Sequence, residues 1–297
     1  MGTWVFLAIA AQALFATSTF VDRHVLTHSR GIGKPAAYAF YISLLSGFVL
    51  VLVPFGVVSE PSLIVLELSL ATAATFILGL LLLYHALKEG TASDVMPVVA
   101  AFSAIATFVW AYLFLDEGLP AMFIVSVALF IIGTFLISKF KFRRLGLYHV
   151  IAAGLLFGVS TVLIKLIFHE TTFWDGFFWS RMANVIGAGF LLLWPGNAKA
   201  IFHGVKSSSH GTKWVVLGNK MLAGVAAAMT FFAISLGSVS VVNAMAGLQF
   251  AFLLLIAFLF ATRFPQVLEG EIDTKGLPHK LWGIGLIALG LAVLYLA

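Results

Sequence analysis

Three ionisable side chains lie at a similar depth inside different apolar stretches of this sequence: Arg181, Lys165 and Glu67. Arg181 stands in FFWSRMAN, residues 177 to 184, just before the apolar run VIGAGFLLL. A guanidinium binds carboxylate or phosphate through two parallel hydrogen bonds, and a nearby ammonium adds positive charge. The pattern favours recognition of an anionic group, with Glu67 neutralising the cations when the site is empty or carrying a coupling proton.

Each of these charges also has a purely structural interpretation. Arg181 and Glu67 can form a structural ion pair, whereas Lys165 and Lys220 either line a cavity or extend along the helix to the lipid headgroups. His85 is a second candidate for carrying a coupling proton.

Uncharged polar and aromatic side chains supply further candidate ligands. Amides inside a helix bundle often only join helices, contributing about 0.6 kcal/mol each. Asn243 and Gln249 are six residues apart and therefore about 120° apart around a helix, so we expect only one to face a central cavity. Beyond Arg181, Lys165 and Glu67, the predicted substrate contacts are Gln12, Trp110, Trp179, Asn184, Asn243 and Gln249.

The residue content argues against several kinds of chemistry. With no cysteine, the chain has no disulfides, thiolate metal sites or cysteine nucleophiles. His24 and His28 are four residues apart but have no evident acidic partner, so we predict no metal site. The segment GVS at residues 158–160 has no histidine base at membrane depth, and no pair of intramembrane aspartates exists. We predict neither an enzyme nor a bound cofactor.

The composition places most of the chain in lipid. Hydrophobic residues make up 62% and charged residues 10%, with a mean hydropathy of +1.09. Soluble domains have about 25% charged residues. The net charge of +5 is therefore interpreted as loop charge that fixes orientation, and no nucleic-acid partner is expected.

Ten apolar runs are long enough to cross a bilayer, which predicts an all-α integral membrane protein with ten transmembrane helices. The first run has no basic segment before it and is interpreted as a retained helix. The runs are Thr3–Val21, Ala36–Val58, Ser62–Leu87, Ser93–Leu115, Leu119–Ser138, Gly146–Phe168, Asp175–Trp194, Lys213–Leu236, Ser240–Ala261 and Lys280–Leu296.

The two halves of the chain resemble each other in order. LFATST at residue 14 matches LFGVST at residue 156, VPFG at 53 matches LWPG at 193, and ALKEGTAS at 86 matches AISLGSVS at 233. Gly133 likewise matches Gly290. These matches predict two five-helix repeats, residues 1–145 and 146–297. Five is an odd number, so the second repeat enters the membrane from the opposite side, an arrangement typical of transporters.

The loop charges predict the orientation. Fourteen of the seventeen Lys and Arg fall in loops on one side of the predicted bundle. The alternate side has no Lys or Arg and carries Glu60, Asp116, Glu117, Glu170 and Asp175. The positive-inside rule then places both termini outside.

The stretch YHALKEGTASDVMPVVAAFSAIATFVWAYLFLDEGL resembles the signature of the drug/metabolite transporter superfamily, in its EamA-like ten-helix branch. The shared residues are Ala86, Leu87, Pro97 and Glu117. FFAISLGSVSVVNAMAGLQF is similar in the second repeat, where Ala244 replaces the proline. Relatives of this kind carry amino acids, nucleobases, sugar phosphates, quaternary amines or drugs, and are usually drawn with both termini in the cytoplasm.

Together these features predict a secondary active transporter in the plasma or inner membrane, working by alternating access. Its expected partners are a small polar metabolite, anionic or zwitterionic, the lipid bilayer, and a coupling proton or counter-substrate. We expect a monomer or homodimer, with helices 1, 3, 4, 6, 8 and 9 around the path. The alternative is a flippase for a lipid-linked phosphate or sugar phosphate, which needs a lateral opening and a basic pocket.

Overall fold

The structure, a computed structural model, describes residues 2–28, 35–89, 92–138, 144–193, 201, 210–259 and 277–296. Within these ranges all regular secondary structure is helical. A 3₁₀ helix, Ser46–Phe55, directly continues the second α-helix. The α-helices are α1 (Thr3–His28), α2 (Pro35–Leu45), α3 (Leu63–Glu89), α4 (Ala92–Leu115), α5 (Ala121–Ile137), α6 (Arg144–Glu170), α7 (Phe173–Leu192), α8 (His210–Leu236), α9 (Val239–Ala244), α10 (Gly247–Leu259) and α11 (Leu277–Leu296).

Seven stretches of the described helices are long and apolar enough to cross a membrane, and two further apolar helices are shorter. The seven lie in α1, α3, α4, α6, α8, α9 with α10, and α11; the shorter ones are Ala39–Phe55 and Ala121–Ile137. The 20-residue α7 is not among them, since Asp175, Arg181 and Asn184 make it more polar. These helices indicate a multi-pass membrane protein.

Two predicted spans differ from a single regular α-helix. The second changes from α to 3₁₀ geometry after Leu45, and the 3₁₀ part ends at Gly56, whose φ of 65° is left-handed. A 3₁₀ helix rises about 2.0 Å per residue, compared with about 1.5 Å for an α-helix. The 3₁₀ segment is therefore longer than an α-helix with the same number of residues. The ninth span is interrupted at Met245 and Ala246, where tight i to i+3 hydrogen bonds join α9 to α10.

Helix α6 lies at the centre of the packing and touches both α3 and α4 along much of its length. Gly154 and Gly158 form its contact with α4. A Cβ atom on Gly158 would lie 2.5 Å from the Cβ of Ala106 and 2.7 Å from the carbonyl oxygen of Ser103. Small residues four apart let two membrane helices approach to backbone contact, where dispersion forces are strongest. Both glycines are therefore required by this packing.

A second close approach joins α5 to α11. A Cβ atom on Gly133 would lie 2.6 Å from the carbonyl oxygen of Gly283, and one on Gly283 would lie 2.5 Å from that of Gly133. The hydroxyl of Ser126 donates a hydrogen bond of 2.7 Å to the carbonyl of Gly290. Gly133 and Gly290, which the sequence matched as corresponding positions of the two halves, both lie at this contact between α5 and α11.

Several sequence-based expectations concern residues outside the described ranges. Of the fourteen loop cations, all but Lys280 have side chains outside the described residues, as do His24 and His28. Gly90 and Pro195, which belong to the matched motifs, also lie outside them. The orientation and the two-repeat division therefore stay predictions.

We expect Gly158→Ala to lower the free energy of unfolding by about 1–3 kcal/mol, because its methyl group meets backbone of α4 and α6 must move away. The matched control is Gly189→Ala in α7, since a Cβ atom there has no neighbour within 4 Å. Thermal unfolding of both variants in detergent measures the difference. Equal melting temperatures would show that α6 and α4 do not approach this closely.

Candidate functional site

Arg181 lies about two turns into α7 and points between two other helices. Its guanidinium carbon is 4.5 Å from the ring centroid of Phe231 in α8 and 5.9 Å from that of Phe76 in α3. A guanidinium over an aromatic face is stabilised by the ring quadrupole, by about 0.5–2 kcal/mol depending on desolvation. The side chain is therefore held inside the bundle by aromatic rings.

The charge of Arg181 has no carboxylate counterion among the described residues. Its Nε atom is buried and makes no hydrogen bond there. Cation–π contact does not satisfy an N–H donor as a carboxylate oxygen does. A buried N–H donor inside a membrane protein is unfavourable when it has no acceptor. This position therefore favours a ligand that supplies a hydrogen-bond acceptor.

Asn184 lies one turn further along the same face of α7 and is fully buried. Its amide oxygen and its amide nitrogen both lack partners within the described part of the chain. A buried unsatisfied polar group costs about 1–3 kcal/mol, and folded proteins contain few of them. Arg181 and Asn184 thus present one acceptor and at least two donors in adjacent turns, which suits a small polar guest.

Lys165 is held at the end of α8. Its Nζ atom donates hydrogen bonds of 2.8 Å to the carbonyl of Ile234, 3.0 Å to that of Gly237 and 3.4 Å to that of Ser235. An ammonium has three N–H donors, so all of them have acceptors. From sequence, Lys165 was considered either to extend to the lipid headgroups or to bind an anion together with Arg181. Neither role accounts for its hydrogen bonds to these three carbonyls.

Glu117 completes this second cluster. It follows α4, and its carboxylate attracts the ammonium of Lys165 electrostatically. One carboxylate oxygen accepts a hydrogen bond of 3.3 Å from Ser240, at the start of α9, while the other is buried without a partner among the described residues. Lys165 therefore has local negative charge around it, whereas Arg181 does not.

Glu67 and His85 lie away from Arg181. Glu67 is exposed on α3, nine residues before Phe76, which is about 13 Å along a helix. The structural Arg181–Glu67 pair considered above is therefore not formed. His85 is also exposed; its Nδ1 is hydrogen-bonded to the carbonyl of Leu81 at 2.7 Å, and its ring lies 5.7 Å from that of His149. Their predicted role in coupling is not tested by these contacts.

Two of the predicted amide ligands join helices. The Asn243 amide donates to the hydroxyls of Ser103 at 3.0 Å and Thr107 at 2.6 Å, which links α9 to α4. Gln249 in α10 donates to the Thr19 hydroxyl of α1 at 2.9 Å. These bonds match the alternative that amides fasten the bundle together. Gln12 is buried on α1.

The two tryptophans predicted to wall a cavity have other contacts. Trp110 is 38% exposed and stacks on Phe114, with 5.2 Å between ring centroids. Trp179 donates from Nε1 to the carbonyl of Ser59 at 3.1 Å, fastening the segment before α3 to α7. Neither ring is among the two that flank the Arg181 guanidinium.

Sequence reasoning missed the aromatic partners of Arg181 and the buried carboxylate that begins α7. Phe76 and Phe231 are two of 29 phenylalanines, so no spacing distinguishes them. Asp175, taken from sequence as the first residue of the seventh span, accepts hydrogen bonds from Thr172 at 2.7 Å and from the Ser59 amide at 2.6 Å. The sequence TTFWD, with Thr172 three residues before an acid, is a recognisable helix-start signal.

Comparison with known proteins finds a family that the first part of the chain resembles. Residues 2–139 match the model of the EamA-like transporter family, a little under half of the 297-residue chain. Members of that family are transporters.

The fold of this chain recurs in a solved structure. One crystal structure of a protein superimposes with a TM-score of 0.71 over 98% of this chain and 98% of its own, at 15% sequence identity. At that identity the likeness concerns the fold alone. No curated protein matches the sequence.

We expect Asn184→Ala and Asn243→Ala to differ in stability although the substitution is the same. Asn184→Ala removes an unsatisfied amide and should leave the melting temperature unchanged or raised, whereas Asn243→Ala removes two hydrogen bonds and should cost about 1–2 kcal/mol. Thermal unfolding in detergent compares them. An Asn184→Ala variant as unstable as Asn243→Ala would indicate that Asn184 has a structural partner.

Proposed function

We propose that this protein is a secondary active transporter for a small polar metabolite that bears one carboxylate, either as a monoanion or as a zwitterion. The observation that supports it is the buried Arg181 Nε without an acceptor, one turn from the fully buried and unsatisfied amide of Asn184. Arg181 would bind the carboxylate, and Asn184 would bind a donor or acceptor on the remainder of the cargo.

The charge of the cargo follows from the number of cations at the site. Arg181 has no protein counterion among the described residues, whereas the ammonium of Lys165 is occupied by three carbonyl oxygens. One unmatched positive charge is neutralised by one negative charge. A phosphate dianion would leave a net negative charge between Phe76 and Phe231, which is unfavourable away from water. This argument also disfavours the flippase, whose phosphate headgroup needs a basic pocket.

The proposed transport path runs between two oppositely inserted five-helix repeats, residues 1–145 and 146–297. The aromatic contacts of Arg181 support this, because they join α3 of the first repeat to α8 of the second. Alternating access would open the region of Arg181 first to one side and then to the other. Uphill transport would draw on a proton gradient or on exchange for a second substrate.

We expect a carboxylate-bearing metabolite to raise the melting temperature of the purified protein, and Arg181→Gln to weaken its binding at least ~30-fold, because about 2 kcal/mol or more is lost when one partner of a buried charge pair is removed. Arg181→Lys keeps the charge but lacks the planar fork, so it should bind with intermediate affinity. Stabilisation is measured across a panel of monocarboxylates, amino acids, phosphomonoesters and polyprenyl phosphates.

Other responses would contradict the proposal. Stabilisation by polyprenyl phosphates alone would favour the flippase, and a preference for phosphomonoesters would contradict the single-charge cargo. Unchanged binding in Arg181→Gln would remove Arg181 from the site. Uptake or exchange of the best ligand in proteoliposomes then tests transport itself.

We further propose that both termini lie on the outer side of the cell membrane, as the loop charges predict. The chain has no cysteine, so single cysteines can be labelled selectively. In intact cells a membrane-impermeant maleimide should label Glu60→Cys, which is exposed before α3, and should label Lys141→Cys only after the membrane is permeabilised. The reverse pattern would place the termini inside.

A further inference from the structure

The end of α8 and the carboxylate of Glu117 form a group of oxygen atoms around a single positive charge. Three backbone carbonyls, those of Ile234, Ser235 and Gly237, accept hydrogen bonds from the Nζ of Lys165 at 2.8–3.4 Å. The last carbonyls of a helix lack partners within the helix, and the helix dipole places about half a negative charge there. The arrangement is therefore electronegative before Lys165 is considered.

Glu117 adds a full negative charge beside the helix end. Its attraction for Lys165 accompanies one hydrogen bond from Ser240, and its other oxygen is buried without a partner in the described ranges. Carbonyl and carboxylate oxygens are the ligands that small hard cations prefer, and helix C-termini coordinate such ions in membrane transporters. The three carbonyls are the ligands of a monovalent-cation site, and Glu117, which forms no direct ion pair with Lys165 among the described residues, adds negative charge near it.

We infer that the C-terminal end of α8 together with Glu117 is a monovalent-cation site, and that the chain fills it permanently with the ammonium of Lys165. The site lies apart from Arg181 and does not depend on the cargo proposed above. Because Lys165 belongs to α6, the built-in cation also fastens α6 to α8. The native protein consequently needs no free Na⁺ at this position.

Emptying the site should create a requirement for an added cation. Lys165→Ala deletes the atoms of n-propylammonium, so that ion and Na⁺ are the probes. Wild-type protein in detergent should melt at the same temperature in choline, sodium and n-propylammonium chloride of equal concentration. Lys165→Ala should melt at least ~4 °C lower than wild type in choline chloride. Sodium or n-propylammonium, but not choline, should raise that temperature.

The double variant Lys165→Ala with Glu117→Gln should lose this recovery, because the negative charge near the site is gone. A Lys165→Ala protein as stable as wild type in choline, or one whose melting temperature does not depend on the cation, would overturn the inference. So would wild-type protein that melts higher in sodium than in choline.

Two measurements keep the inference testable if Lys165→Ala does not fold. Glu117→Gln alone should lower the melting temperature, whereas the control Glu67→Gln, at an exposed acid of α3, should not. The native chain has no cysteine, so the variant Lys165→Cys has a single thiol. Its modification with an aminoethyl methanethiosulfonate, which restores an ammonium, should stabilise the membrane-inserted protein more than the neutral methyl reagent. Equal effects in either comparison would contradict the cation site.

Discussion

The contact between α6 and α4 determines where Lys165 and Arg181 lie. Gly154 and Gly158 let the two helices pass at backbone distance, which leaves α6 free to pack against α3 on another side. Lys165 follows Gly158 by two turns on α6 and reaches the end of α8 from there. The short connection to α7, fixed by Thr172 and Asp175, then sets the height of Arg181. A wider α4–α6 separation would displace all of these groups together.

The two cations illustrate how a bilayer interior separates structural from functional charge. A buried ion is stable only when partners replace its hydration. Lys165 has three carbonyls and a nearby carboxylate, so its charge is matched by the fold. Arg181 has two aromatic rings and an unsatisfied Nε, so its charge is matched only in part. The structure therefore gives the ammonium of Lys165 local partners, whereas the Nε of Arg181 has none among the described residues.

Sequence predicted the helices well because apolar runs report burial in lipid directly, but it predicted their internal geometry less well. Hydropathy does not distinguish an α-helix from the 3₁₀ helix at Ser46–Phe55, since both satisfy their own backbone. The interruption at Met245 follows Ala244, which the sequence comparison of the two halves matches with Pro97, while Pro97 itself lies within the continuous α4. The irregularity is therefore set by packing and not by the residue usually associated with it.

The candidate site was predictable in its charges and not in its contacts. Arg181 is conspicuous in any apolar sequence because of its cost, and that cost identified it. The partners of Lys165 lie 69–72 positions away in sequence and are backbone atoms, which every residue carries. Hydrogen bonds to distant backbone atoms do not affect the composition or the spacing of residues. The sequence therefore could not show whether Lys165 binds the carbonyls at the end of α8 or the lipid headgroups.

The unmatched charge of Arg181 also bears on how a transport cycle would be driven. If Arg181 binds the cargo, the empty and loaded forms of the protein differ by one charge in a region of low dielectric. The loaded form with a monoanion is locally neutral, whereas the empty form keeps an uncompensated guanidinium as the helices move. Reorientation of the empty form is then the slower step, and a second substrate molecule on the far side removes that barrier. If Arg181 binds the cargo as proposed, an exchange of one monoanion for another follows from its unmatched charge.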